Sequence, residues 1–245
     1  LKASYNIKEI ERIAAEGKLK SLGVFIIMKH RYRNGVIYNY TIKGLASEFG
    51  HSRVFIKKMI DFYIDSGWCV VNGRNLIFTR HGKLDKPNKF LKYKIDVFYG
   101  ITLKEVLYDL RLAILKRKQA NLDYLKSIER CANRPTNLKS HKWALKSIKR
   151  MGLKRESLPP ESANLKVSMS GFAKMFGCSR ASAHGIVKSF KKAQDVFCYQ
   201  GFAIQFMRTS NPAIVKSILG AISGTYYRDG VVYKTQCNQY FVHGV

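Results

Sequence analysis

The side chains best placed for chemistry in this chain are cations that follow a serine at helical intervals. Ser52 precedes Arg53, Phe55, Lys57 and Lys58, and Ser179 precedes Arg180, Ser182, His184 and Lys188. A guanidinium offers a planar fork of donors that fits a phosphate or a guanine edge, whereas an ammonium acts as a point charge. Proton transfer and metal-assisted phosphoryl transfer need carboxylates gathered on one face, and the sequence pairs none in that way. The set is therefore suited to holding a polyanion rather than to breaking a bond.

Both sets sit in nearly the same wording. "IKGLASEFGHSRVF" runs from Ile42 to Phe55 and "MSGFAKMFGCSRAS" from Met169 to Ser182. At a constant offset of 127, Gly44/Gly171, Ala46/Ala173, Phe49/Phe176, Gly50/Gly177, Ser52/Ser179 and Arg53/Arg180 are identical. Two copies of one structural unit are expected. In the first, an apolar segment from about Lys18 to Tyr32 predicts a helix, Asn34 and Gly35 a turn, and "VIYNYT" a short strand. Thr41 to Phe49 predicts a helix stopped by Gly50, and Ser52 is a suitable N-cap for another that runs to about Ser66. "WCVV", "NGRN" and "LIFT" read as a hairpin from Trp68 to Thr79. The second copy has the same flanks: a helix in "SHKWALKSIKRMGL", a strand in "NLKVSM", and a hairpin in "DVFCYQGFAIQFMR" turning near Gln200 and Gly201.

This order of elements is that of a winged helix-turn-helix domain, and "LASEFGHSRVFIKKMIDFYIDSGW" resembles the core of that superfamily. Ala46 is small where two helices cross, Gly50 supplies a left-handed turn, and Ile56, Met59, Ile60 and Tyr63 fall on one inward face. Ala173, Gly177, Ala183, Ile186, Val187 and Phe190 repeat the pattern. The resemblance implies an α+β, mainly helical chain with two tandem winged-helix domains joined by a long helix. It also implies that the second helix of each pair enters a major groove, with Arg53, Phe55, Lys57 and Lys58, and Arg180, Ser182, His184 and Lys188, facing the DNA. The alternative for Arg53 and Arg180 is a brace on the turn. Ser52 and Ser179 are first of all caps, worth about 1 kcal/mol each.

With 245 residues the chain has room for two domains of about 100. The expected division is residues 1–92 and 134–210 for the two winged-helix domains, 93–133 for a helical connector, and 211–245 for a helix and hairpin extension. Thr102 to Glu105, "TLKE", predicts a capping box that opens a helix to about Arg130, with "KRKQ" (Lys116 to Gln119) interrupting its apolar stripe. That pattern suggests a spacer packed at its ends, with dimerisation an open option. In the tail, Ala213 to Ile222 predicts a helix, and "TYYRDGVVYKTQCNQYFV" a hairpin turning at Asp229 and Gly230 that pairs with the second wing or forms a dimer edge.

Lys and Arg number 44 against 16 acids, a formal charge of +28. A surplus of that size points to a polyanion, because phosphate contacts release condensed counterions. From Arg130 to Arg155 there is no acid, and Lys139, Lys142, Lys146 and Lys149 recur at helical spacing opposite Leu145 and Ile148, a stripe for phosphate contact. The wings add Arg74, with Arg80 and Arg208 at strand ends. The longest apolar run, Leu22 to Met28, is too short for a bilayer, and no signal peptide is visible. The sequence begins with Leu, as a processed chain or a piece of a longer one would. Cys69, Cys131, Cys178, Cys198 and Cys237 have no CxxC spacing and read as reduced thiols of a cytoplasmic, nucleoid-associated protein.

Enzymatic readings fit poorly. "HRYR" (His30 to Arg33) and Tyr240 match fragments of a tyrosine recombinase at the wrong separation, and neither a phosphate-binding loop nor a metal-binding HxH pair is present. No metal, cofactor or membrane is expected. Two winged-helix units on one chain resemble the replication initiators of plasmids and some phages, which implies double-stranded DNA as the ligand and host replication proteins as partners. A transcriptional regulator, with host transcription proteins as partners, and a low-specificity DNA-coating or architectural protein are the alternatives.

Overall fold

The computed structural model describes residues 2–79, 92–96, 100–161, 163, 165–199, 203–221, 225–235 and 239–242. The chain is α+β and mainly helical, and it divides into two compact units: Leu1–Ile114 with Met175–Gly177, and Leu115–Lys174 with Cys178–Val245.

The first unit opens with β1 (Lys2–Asn6) and α1 (Ile7–Ala15). Asn6 caps α1 by accepting from Lys8 N at 3.0 Å, and Ile7, Ile10, Ile13 and Ala14 put a helical period into the core. Helix α2 (Leu19–Arg31) is apolar on most sides and buried from Leu19 through Ile26 except Lys20. Strand β2 (Val36–Ile37) is shorter than expected. Thr41 then caps α3 (Ile42–Phe49) through Gly44 N at 3.0 Å, and Ser52 caps α4 (Arg53–Asp65) through Phe55 N at 3.2 Å. Strands β3 (Cys69–Asn72) and β4 (Asn75–Phe78) form the expected hairpin, paired Cys69↔Phe78 to Asn72↔Asn75, which leaves Gly73 and Arg74 as a two-residue turn. Strand β4 lies between β2 and β3. Phe25 anchors the core, its ring 5.1 Å from Tyr63, 4.9 Å from Trp68 and 5.5 Å from Phe78, and Tyr63 donates its hydroxyl to Ser21 O.

Strand β5 (Lys92–Asp96) pairs antiparallel with β1. Helix α5 (Leu103–Asn133) begins with the expected capping box: Thr102 N donates to Glu105 Oε2 at 2.7 Å, and Glu105 N to Thr102 Oγ1 at 3.3 Å. At ~1.5 Å per residue it is about 46 Å long. Leu112 to Leu115 are buried in succession, so the helix is enclosed in its middle and not only at its ends. The unit boundary falls there, between Ile114 and Leu115, and the expected connector of 93–133 is divided between the units.

In the second unit, Asn137 and Ser140 form a capping box for α6 (Leu138–Met151). Its Ala144 packs with Ile128, Ala132 and Leu158, flanked by Ile148 and Met151. Leu145 is exposed rather than inward, because the narrow apolar face of α6 is filled by the small Ala144 and Ser147. Strand β6 (Leu165–Lys166), α7 (Met169–Phe176), α8 (Arg180–Lys192) and β7 (Val196–Tyr199) then repeat β2, α3, α4 and β3.

The expected hairpin from Asp195 to Arg208 does not form. Strand β8 (Ala203–Arg208) instead joins β9 (Thr225–Arg228) and β10 (Val231–Thr235) in a separate sheet, ordered β8-β10-β9, with α9 (Pro212–Ala221) between β8 and β9 in the chain. The partner of β7 is β11 (Gln239–Val242), which lies between β6 and β7 as β4 lies between β2 and β3. The registers match, with Val196↔Val242 and Tyr199↔Gln239 corresponding to Cys69↔Phe78 and Asn72↔Asn75. Packing decides the pairing. The central strand must bury alternate residues, as β4 does with Leu76 and Phe78; β11 supplies Tyr240 and Val242, whereas Gln205 through Arg208 of β8 are all exposed. The tail set apart as 211–245 thus returns its last strand to the second unit. Residues 200–238 are an insertion at the position where the first copy has Gly73 and Arg74.

Candidate nucleic-acid interface

The residues shared by both copies can be sorted by what each does in the fold. Gly44 and Gly171 sit where an added Cβ would meet the capping oxygens, 3.0 Å from Thr41 Oγ1 and 3.4 Å from Ser168 Oγ. Ala46 and Ala173 accept at 3.0 Å from His51 N and Cys178 N, which closes the turn. Phe49 lies under Arg31, 4.8 Å from ring centroid to guanidinium carbon, and Phe176 is fully buried. Gly50 (φ 63°) and Gly177 (φ 58°) occupy the left-handed region that stops α3 and α7. Ser179 caps α8 through Ser182 N at 3.2 Å, as Ser52 caps α4. Arg53 and Arg180 differ from these. Both are exposed, and neither has an ion pair or a side-chain hydrogen bond among the described residues.

Around Arg180, the outer face of α8 is entirely basic or small. His184, Lys188 and Lys191 follow at spacings of four, four and three, while Ala183, Val187 and Phe190 point inward. Ala181 and Gly185 lie on the most outward line of the helix, and no atom comes within 4 Å of a Cβ built on Gly185. No acid occurs between Glu161 and Asp195. Such a surface can approach a polyanion closely.

The corresponding face of α4 is chemically different. Arg53, Lys57 and Lys58 are exposed, but Val54 (65% exposed) stands where α8 has Ala181, and Asp61 and Asp65 where it has Lys188 and Lys192. Phe55 is half-buried: its ring packs 4.9 Å from His51, and Lys20 Nζ lies 4.7 Å over it. Phe55 therefore holds Lys20 of α2 beside the start of α4. Burial and the nearby Lys20 both push the His51 imidazole below its usual range.

No known family, curated protein or solved structure matches the chain. Its own geometry must carry the reading.

Arg74 is exposed at the tip of the first hairpin, where its carbonyl accepts from Tyr40 N at 3.0 Å. Arg80 lies outside the described residues. Lys139, Lys142, Lys146 and Lys149 are all exposed on the side of α6 away from Ala144, Ser147 and Ile148, a continuous basic stripe. Arg208 is exposed, but on β8 of the inserted sheet and not on β7 or β11. Sequence reasoning did not single out Lys20, Ala181, Gly185 or Lys191. One of them, Gly185, was legible as a glycine at an outward helical position, where the fold alone favours a better helix former. No helix among the described residues is long and apolar enough to cross a membrane.

Proposed function

We propose that the chain is a non-enzymatic, sequence-specific double-stranded DNA-binding protein built from two winged-helix units, with α4 and α8 as the groove-reading helices. The observation that carries this reading is the repeated arginine: among the residues common to both copies, Arg53 and Arg180 are the pair for which the described residues show no structural duty, each exposed at the start of a helix next to a backbone corner held by a serine cap. A free guanidinium at the start of such a helix suits a guanine edge or the adjoining phosphate. The lysine stripe of α6 and the basic face of α8 supply sequence-independent phosphate contacts, and Arg74 extends them from the first wing.

The helices do not contribute alike. Helix α8 is acid-free and narrow, suited to deep approach and strong phosphate attraction, whereas Asp61 and Asp65 on α4 repel phosphate and restrict what it tolerates. Two related but distinct readers on one chain suit an asymmetric or imperfectly repeated site. That arrangement supports a replication initiator acting at a plasmid or phage origin, with host replication proteins as further partners. Selection from a random duplex library in the presence of nonspecific competitor tests the DNA-binding claim. A recovered motif of two half-sites supports it, and recovery of no motif leaves the DNA-coating alternative. Maintenance of a plasmid bearing the selected site, dependent on this protein, separates an initiator from a regulator.

A further inference from the structure

The insertion between β7 and β11 carries a second surface of different chemistry. Across its sheet, Arg208, Val231 and Arg228 are paired in one row, and Gln205, Tyr233 and Tyr226 in the next row on the same face, a bulge at Val232/Tyr233 keeping the alternation in step. Tyr227 alternates to the opposite face, where it lines a pocket with Pro212, Val215 and Leu219 of α9. One face is thus met by α9. On the other, the rings of Tyr226 and Tyr233 stack at 5.3 Å with an interplanar angle of 18°, Tyr226 is 41% exposed, and Arg208, Arg228 and Gln205 are exposed around them. The rows are about 7 Å apart, two residues at ~3.4 Å each.

We infer that this face binds single-stranded nucleic acid, one base extending the Tyr226–Tyr233 stack while Arg208 and Arg228 hold the neighbouring phosphates. An exposed aromatic ring on the edge strand, with Arg228 two residues along the same strand and Arg208 across the sheet in the neighbouring row, matches a base on its sugar-phosphate chain, because every base has a stacking face and brings its own anion. Duplex DNA does not fit, since both faces of a paired base are already occupied by its neighbours. The nearest acid, Asp229, pairs with Arg228 at 3.2 Å, but both side chains are more than three-quarters exposed and such a pair yields readily to a phosphate. Apart from Arg208, which the fold carries on the inserted sheet, the inference uses none of the residues named for the duplex, and Tyr226 is not among them, so the two readings stand or fall separately.

The test compares the full chain's affinity for fluorescent oligothymidylate with that for an abasic deoxyribose-phosphate oligomer of the same length and charge. At +28 any polyanion will bind, and only the difference between the two reports on bases. The expected preference for oligothymidylate is about five-fold or more, abolished by Tyr226→Ala and retained by Tyr226→Trp. Should Tyr226→Ala melt early, Tyr226→Leu keeps apolar bulk without a stacking face and is expected to lose the preference equally. Joint Arg208→Ala and Arg228→Ala substitution should weaken both oligomers alike and flatten the salt dependence by up to about 1.4. An oligouridylate arm shows whether RNA is favoured over DNA, and a preference for bases with either sugar supports the inference. Equal binding of base-bearing and abasic oligomers, or a preference that survives both Tyr226→Ala and Tyr226→Leu, overturns it. Duplex binding is expected to be unchanged in the Tyr226 variants.

Discussion

Replacing Gly185 by alanine should make the protein more stable and a poorer binder of DNA. Glycine inside a helix costs about 1 kcal/mol relative to alanine. That cost is accepted in folds where a Cβ would collide, but a Cβ on Gly185 meets no atom within 4 Å, so the full gain of ~1 kcal/mol is available. For a chain of this size the gain raises the melting temperature by about 2 to 4 °C. If α8 lies in a major groove, the outward line of Ala181 and Gly185 is where its backbone comes nearest the bases, and an added methyl there holds the helix off. Loss of one base contact amounts to ~1 to 3 kcal/mol, or about five- to 150-fold in affinity for the selected duplex. Gly185→Gln should be worse for binding and still more stable than wild type. Thermal unfolding by circular dichroism and fluorescence anisotropy on the same preparations read both quantities. Variants that are stabilised yet bind the selected duplex as wild type would show that this face of α8 does not enter the groove.

Replacing Lys142, Lys146 and Lys149 by alanine should weaken binding to all duplexes alike and reduce the salt dependence by up to about 0.9 per lost phosphate contact, measured by anisotropy across a salt series; an unchanged slope would make the stripe a solvated face. Stability of the first unit should fall at alkaline pH. Burial raises the Cys69 thiol to about 12 against the opposing pull of Lys29, and burial with the hydrogen bond to Glu48 raises the Tyr32 hydroxyl to about 12. Both groups keep their proton more tightly when folded, so their contribution is complete below about pH 9 and is lost as pH rises towards about 12. Melting curves of Cys69→Val with Tyr32→Phe should therefore depend less on pH over that window. Excising residues 200–238 and joining Tyr199 to Gln239 through Gly-Arg, the turn of the first copy, should leave the second unit folded, because the registers of the two hairpins are the same. A cooperative melt checks this, and its disappearance would mean that the insertion is part of the core.

Local signals in the sequence carried most of the elements around the candidate interface. Glycines in the left-handed region, serine and threonine caps and the Thr102–Glu105 box act within a few residues, so the ends of α2 to α6 fall within three residues of the expected ones, whereas β2 and β6 are shorter than expected. The partner of β7 was not legible in the same way. Its true neighbour starts forty positions beyond the end of β7, and the intervening "AIQFMR" has strand character without the buried alternate residues that a central strand requires. Helix α1 was overlooked because "IKEIERIAA" is short, and its inward isoleucines count only once β1 and α2 fix the core beside them. The role of Phe55 could not be read from a helical wheel, since it depends on Lys20 and His51, which flank it from other elements. For Arg53 and Arg180 the sequence left two readings, a base contact or a brace on the turn, and neither side chain has an ion pair or a hydrogen bond among the described residues.

The most direct test of the central claim is a hydroxyl-radical footprint of wild type, Arg53→Ala and Arg180→Ala on the selected duplex, with thermal unfolding recorded for each protein. Two protected segments are expected about one helical turn apart, roughly 10 base pairs or a multiple of it. Each substitution should weaken binding by about 1 to 3 kcal/mol, relax preference in a different segment, and leave the melting temperature unchanged. A single protected segment, or two normally melting variants with wild-type footprints and wild-type affinity, would contradict it.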